Sequence, residues 1–100
     1  MTRIKHKMDE KAFKRVSGVL SSIDTPETMS RFLKELLTPG EMRDIALRWR
    51  LLEMLAEGVP QRRIAEKLQI SLCKITRGSK ILKQKDTLTS QVLGGESAPR

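Results

Sequence analysis

The side chains best suited to chemistry in this sequence are basic, and they concentrate in one segment. Residues 60–85 carry eight Lys or Arg side chains against one acid, Glu66, whereas residues 35–57 carry five acids and three bases. The whole chain of 100 residues has a formal charge of +8. Such a segment favours a polyanionic partner: DNA, RNA or an anionic membrane. The competing interpretation is a solvated basic surface without a partner.

The chain lacks the residues that most catalytic and metal sites need. His6 and Cys73 are its only histidine and cysteine, and no glycine-rich phosphate loop is present. A disulfide within the chain, a cysteine zinc cluster and a Ser-His-Asp triad are therefore not expected. We expect neither an enzyme nor a metal site.

The ends of the chain suggest flexible segments rather than targeting signals. Residues 1–7 are basic, but no apolar stretch follows them, so they do not resemble a signal peptide. No run approaches the roughly 18 apolar residues of a membrane span. We expect a cytoplasmic protein without a membrane partner, with flexible ends at 1–7 and 94–100 and one helical domain at 8–93.

Helical patterns fill the chain between these ends, and no alternating strand pattern is present. Thr25 and Ser71 are suited to be N-caps, Thr38 and Glu41 form a capping box around Pro39, and Gly58 is a helix stop. The sequence therefore predicts an all-α fold of about six helices, near residues 9–21, 26–37, 39–57, 61–68, 72–84 and 87–93.

The third predicted helix, at 39–57, is apolar on more than one side, and this pattern is relevant to whether the chain forms a dimer. Apolar residues on several faces indicate burial on several faces. A chain of 100 residues offers little surface to cover them. We expect a homodimer, the alternative being a central helix within a monomeric bundle.

The segment at about 60–83 has the spacing of a helix-turn-helix. Ile64, Leu68 and Ile75 would pack inward, and the small Ala65 would let two short helices cross closely. One departure is Gln69, where many such motifs have a glycine for the turn.

In a helix-turn-helix, the first residues of the second helix face base edges in the major groove. Leu72 and Cys73 would contact a thymine methyl, and Lys74 a guanine or a phosphate. Half-buried packing is the alternative for Cys73. The predicted DNA-binding residues are Gln61, Arg62, Leu72, Cys73, Lys74, Thr76 and Lys83.

Two segments of the chain resemble the trp repressor family. They are Leu36-Leu37-Thr38-Pro39-Gly40-Glu41 and Ile75-Thr76-Arg77-Gly78-Ser79, with Arg48 and Gln61-Arg62 between them. The similarity covers about residues 36–83. It implies an intertwined helical homodimer that binds operator DNA when L-tryptophan occupies a pocket beside the second helix of the motif.

The resemblance also implies roles for individual residues in that pocket. Arg48 and Arg77 would sandwich the indole, because guanidinium groups stack on aromatic faces and bind carboxylates. The alternative for Arg48 is a salt bridge to Asp44. The resemblance further implies that Arg77 and Thr38 bind the ligand carboxylate. The backbone carbonyls of Glu35 and Leu37 would accept hydrogen bonds from its ammonium, and Gly78 would leave space for the ring.

Three features depart from the family pattern. Ile81 stands where tryptophan-responsive repressors have a serine that helps to bind the ammonium. The loop near Val59–Pro60 is one residue shorter, and the last helix is weak. The DNA-binding prediction is unaffected by these departures, whereas the identity of the ligand depends on Ile81.

The sequence thus predicts a DNA-binding repressor with L-tryptophan as corepressor, controlling genes of tryptophan biosynthesis or uptake. One alternative is a similar regulator with a different ligand or none. The other is a non-regulatory protein that binds RNA or other polyanions. Phe13, Phe32 and Trp49 are the only aromatic residues, all within apolar helix patterns, so no base-stacking platform supports the last alternative.

Overall fold

The computed structural model of the chain describes residues 7–84 and 86–94. Every regular element in this part of the chain is an α-helix, which confirms the predicted all-α fold. The predicted flexible ends lie outside the described residues, except for Lys7 and Gly94. The six helices are α1 Glu10–Ser22, α2 Pro26–Leu36, α3 Pro39–Ala56, α4 Gln61–Leu68, α5 Leu72–Lys83 and α6 Leu88–Leu93.

Side-chain caps fix where several helices begin. Thr25 Oγ1 accepts a hydrogen bond from the amide of Thr28 at 3.2 Å, and Ser71 Oγ accepts one from Lys74 at 3.4 Å. Each bond satisfies an amide that has no partner within its helix. The two predicted N-caps of α2 and α5 are therefore confirmed.

Gly58 ends α3 as the sequence predicts. Its φ is +87°, a conformation that glycine adopts without the steric cost of a Cβ. The amide of Val59 donates to the carbonyl of Met54 at 3.0 Å, and that of Gly58 to Leu55 at 3.1 Å. This pair of bonds caps the last carbonyls of α3 and redirects the chain toward α4.

The chain divides near Gly40 into two compact units. The N-terminal unit contains α1 and α2, and none of the residues in these two helices is buried. Val16 and Leu20 are half-buried, whereas Phe13, three residues before Val16 and on the same helix face, is 55% exposed. These helices therefore lack a closed core within the single chain.

The C-terminal unit holds the hydrophobic core. Leu51 and Met54 of α3 pack with Ile64 of α4 and Ile75 of α5, and both isoleucines are fully buried. This confirms the predicted inward packing of the helix-turn-helix. The half-buried residues around this cluster are Leu55, Val59, Ala65, Leu68 and Ile70.

The turn between α4 and α5 uses an unusual residue. Gln69 has a φ of +54°, the left-handed conformation in which many such motifs have glycine. The amide of Ile70 donates to the carbonyl of Ala65 at 3.3 Å and closes the turn. A non-glycine residue in this conformation costs roughly 1–2 kcal/mol, so the packing of α4 against α5 must offset that strain.

The short helix α6 caps the end of α5. Ser90 Oγ lies 2.8–3.1 Å from the carbonyl oxygens of Ile81, Leu82 and Gln84. Thr87 Oγ1 also donates to the carbonyl of Ile81, at 3.1 Å. Each hydroxyl has one proton and donates to one carbonyl at a time, among those that a helix leaves without partners at its C-terminus.

Candidate ligand cleft and nucleic-acid interface

A cleft of about 120 Å³ lies between α3 and α5 in the C-terminal unit. Its lining combines charged side chains at the rim with an apolar floor. The lining residues are Asp44, Leu47, Arg48, Leu51 and Leu52 of α3, Ile70 of the turn, and Lys74, Arg77, Gly78 and Ile81 of α5.

Helix periodicity explains why these side chains share one cleft. Residues three, four and seven positions apart lie on the same face of an α-helix. In α5 that face carries Lys74, Arg77, Gly78 and Ile81, and α3 repeats the spacing from Asp44 to Leu51. Each helix thus forms one wall of the cleft with about two turns of its surface.

Gly78 lies at a close contact between α5 and α3. A Cβ built on Gly78 would lie 3.2 Å from Cδ1 of Leu55 and 3.3 Å from Cδ2 of Leu52. Gly78 itself is buried. The missing side chain therefore lets α5 pack directly on the leucines of α3, and two of the leucines near Gly78, Leu51 and Leu52, form the floor of the cleft.

The rim of the cleft carries three cations and one anion. Arg48, Lys74, Arg77 and Asp44 are all exposed. The salt bridge that a four-residue spacing permits between Arg48 and Asp44 does not form. Within the described residues, the ion pairs join Arg31 to Glu35 and Arg50 to both Glu53 and Glu57. Arg48 and Asp44 thus remain available to a ligand.

The structure brings together four of the seven predicted ligand-binding residues, namely Arg48, Arg77, Gly78 and Ile81. The other three, Glu35, Leu37 and Thr38, belong to the N-terminal unit, and their role stays a prediction.

Sequence reasoning did not assign Asp44 and Lys74 to the cleft, although both line it. Their spacing was the available signal. Asp44 precedes Arg48 by four residues, and Lys74 precedes Arg77 by three, so each pair shares one helix face.

The predicted DNA-binding residues lie on the surface of α4 and α5. Leu72 is 55% exposed, and Cys73 is exposed, so the alternative of half-buried packing for Cys73 is wrong. Thr76 is exposed, and its hydroxyl donates to the carbonyl of Leu72 at 2.9 Å. Lys74 and the remaining predicted contacts, Gln61, Arg62 and Lys83, are also exposed.

Basic side chains surround these positions. Seven Lys or Arg residues of the helix-turn-helix are exposed, while its inward face holds Ile64 and Ile75. Polyanion binding by such a surface would release counterions and depend on salt. The exposed basic residues are Arg62, Arg63, Lys67, Lys74, Arg77, Lys80 and Lys83.

Neither a helix that could span a membrane nor a cluster of metal ligands is found among residues 7–84 and 86–94. None of the six helices there has the length and apolar content needed to cross a bilayer. No group of three His, Cys, Asp or Glu side chains in the same ranges converges on a position for a metal ion.

Comparison with known proteins gives consistent matches. The family described as "Trp repressor protein" matches residues 11–96. A protein named "Trp operon repressor homolog" from Chlamydia caviae is 43% identical over 67 residues, which are 66% of each chain. The match thus spans about two thirds of the length of that relative.

Two further relatives have the same name. The one from Chlamydia trachomatis serovar L2 is 41% identical over 71 residues, covering 66% of this chain and 76% of the relative. The one from Xylella fastidiosa strain M23 is 38% identical over 71 residues, covering 70% and 77%. No solved structure matches the chain.

The contact at Gly78 gives a prediction about stability. Gly78→Val should lower the free energy of unfolding by about 1–3 kcal/mol, because a branched side chain would overpack against Leu52 and Leu55. Urea denaturation at one fixed protein concentration measures the change. The control is Gly18→Val in α1, where a Cβ meets nothing within 4 Å. Equal effects of the two substitutions would contradict the close approach of α5 to α3.

Proposed function

Because the chain belongs to the Trp repressor family, we propose that it is a dimeric DNA-binding repressor whose affinity for operator DNA is raised by L-tryptophan. Membership makes the chain a regulator of the trp-repressor type and not an enzyme. The observation that carries the ligand part of the proposal is the cleft between α3 and α5. One of its walls belongs to the second helix of the helix-turn-helix.

The surface of the helix-turn-helix supports DNA as the partner. Cys73, Thr76, Lys80 and Lys83 follow one another at helical spacing along the exposed side of α5. Leu72, Cys73 and Lys74 occupy its first turn, the part that enters the major groove in this motif. Gln61 and Arg62 begin α4, where they would hold phosphates and fix the orientation of α5.

The composition of the cleft supports an aromatic amino acid as the ligand. Arg48 and Arg77 lie on opposite walls, where two planar guanidinium groups can stack on the faces of an indole. Arg77 would also bind the ligand carboxylate. Leu51 and Leu52 offer the apolar surface that the ring needs.

Uncovered apolar surface supports the homodimer. Ile45 and Trp49 of α3 are 51% and 42% exposed, and Leu88 and Val92 of α6 are 71% and 52% exposed. In each helix the two residues are four positions apart and lie on one face. Contiguous apolar faces of this kind mark an interaction surface. We propose that a second copy of the chain covers them, together with the uncovered residues of α1 and α2.

The position of α5 suggests how the ligand controls DNA binding. The helix contributes one side to the cleft and another to the DNA-binding surface. A ligand that fills the cleft when α5 has its DNA-binding orientation would raise the population of that state. The coupling free energy between ligand and DNA would be set by the difference between the binding free energies of the ligand for the two orientations of α5.

Ile81 supports a second candidate function. Its side chain lines the cleft and offers the ammonium group no polar partner, and an unpaired buried ammonium is costly. The second candidate is the same DNA-binding regulator with a ligand that lacks an ammonium, or with no ligand.

The ligand assignment is tested by removing Arg77. Arg77→Ala should weaken L-tryptophan binding about 10- to 100-fold, the contribution of hydrogen bonds to a charged group. Isothermal titration calorimetry measures it, with helix content checked by circular dichroism. The control is Arg63→Ala, since Arg63 is exposed on α4 and outside the cleft. If both variants bind tryptophan like the wild type, Arg77 is not part of the site.

The DNA contacts are tested by comparing Lys74 with Arg62. Lys74→Ala should cost about 1–3 kcal/mol on the preferred duplex and much less on unrelated duplexes, because a base contact carries discrimination. Arg62→Ala should weaken binding to all duplexes alike, because a phosphate contact carries none. Fluorescence anisotropy at one salt concentration and saturating tryptophan measures both. Identical profiles of the two variants would overturn these assignments.

A further inference from the structure

The cleft is lined by three basic side chains and one acidic side chain, and this imbalance affects which ligands it can bind. Arg48, Lys74 and Arg77 can only donate hydrogen bonds, and the leucine, isoleucine and glycine side chains of the lining offer no polar atom. Asp44 is therefore the one side chain of the lining that accepts a hydrogen bond. A cationic group of a ligand has no other side-chain partner there.

Asp44 is also free to act in this way. In the ranges 7–84 and 86–94, none of the ion pairs uses its carboxylate, although Arg48 stands one helical turn away. The carboxylate is exposed at the rim of the cleft. It is thus not neutralised in advance by the arginine beside it.

The place of Asp44 along α3 separates it from the floor of the cleft. Leu51, which forms part of that floor near Gly78, is seven residues further along the helix. Seven residues correspond to about 10 Å along an α-helix. An aromatic ring on the leucines and an ammonium at Asp44 would thus lie at different points along α3, with Arg48 at an intermediate position on the same helix face.

We propose that the carboxylate of Asp44 binds the ammonium group of the ligand and makes the cleft selective for zwitterionic amino acids over the corresponding acids. Asp44 thereby performs the task for which Ile81 has no polar atom. The inference rests on the proposed function, in which the cleft binds tryptophan. It adds the residue that discriminates tryptophan from the same molecule without its amino group.

The test compares two ligands that differ only in that group, L-tryptophan and indole-3-propionate. Calorimetric titrations are carried out on the full chain and on Asp44→Asn, which removes the charge and keeps the size of the side chain. In Asp44→Asn, the affinity for L-tryptophan divided by the affinity for indole-3-propionate should be about tenfold lower than in the wild type. This is the lower end for a charge-assisted hydrogen bond, because Asp44 is exposed.

Two matched variants separate this role from a general effect of charge. Glu66→Gln removes one negative charge from an exposed site on α4 outside the cleft, and should leave the ratio unchanged. Asp44→Glu keeps the carboxylate and should retain most of the preference for tryptophan.

The outcomes distinguish this inference from the proposed function. If L-tryptophan binds the wild type and Asp44→Asn weakens both ligands equally or neither, the role of Asp44 is overturned while the tryptophan site stands. If indole-3-propionate binds the wild type and L-tryptophan does not, both the selectivity and the proposed corepressor fail. If neither ligand binds, the cleft is not an indole site and the inference fails with it.

Discussion

The contact between α5 and α3 at Gly78 is the constraint on which the rest of the C-terminal unit depends. With no side chain at Gly78, α5 rests on Leu52 and Leu55 of α3. That close contact accompanies the burial of Ile75 against Leu51 and Met54 in the core cluster. The cleft lies next to this contact, between the same two helices. The first turn of α5, at Leu72, Cys73 and Lys74, is exposed to solvent. One glycine thus fixes both surfaces that the proposed function uses.

Because α5 belongs to both surfaces, they cannot be altered independently. Lys74 lines the cleft and lies in the first turn of α5, next to Cys73 on the proposed DNA-binding surface. A ligand that displaces Lys74 or fixes its side chain would act on DNA binding directly. A ligand that tilts α5 would act on every contact of the helix at once. In both cases the two binding events are linked, and the linkage is reciprocal.

Helix boundaries and the packing within the helix-turn-helix were predictable from the sequence, whereas the crossing of α3 and α5 was not. Ser71 and Gly58 follow rules of capping that involve only neighbouring residues, so the helix boundaries could be predicted. The inward face of the helix-turn-helix followed from the spacing of Ile64 and Ile75. The spacing of Asp44 from Arg48 indicates that they share one helix face, but whether that face borders the cleft depends on how α3 crosses α5. Likewise, the capping of α5 by Ser90 requires a chain reversal that a weak helical pattern does not reveal.

The most direct test of ligand-controlled DNA binding is selection of duplexes from a random-sequence library, with and without L-tryptophan at one salt concentration. The predicted result is enrichment of a two-fold symmetric sequence, with half-sites about one helical turn apart, as a dimer requires. Affinity for the enriched duplex should rise about 5- to 150-fold with tryptophan. Equal enrichment and affinity in the two conditions would contradict control by tryptophan, and enrichment of no sequence in either would contradict specific DNA binding.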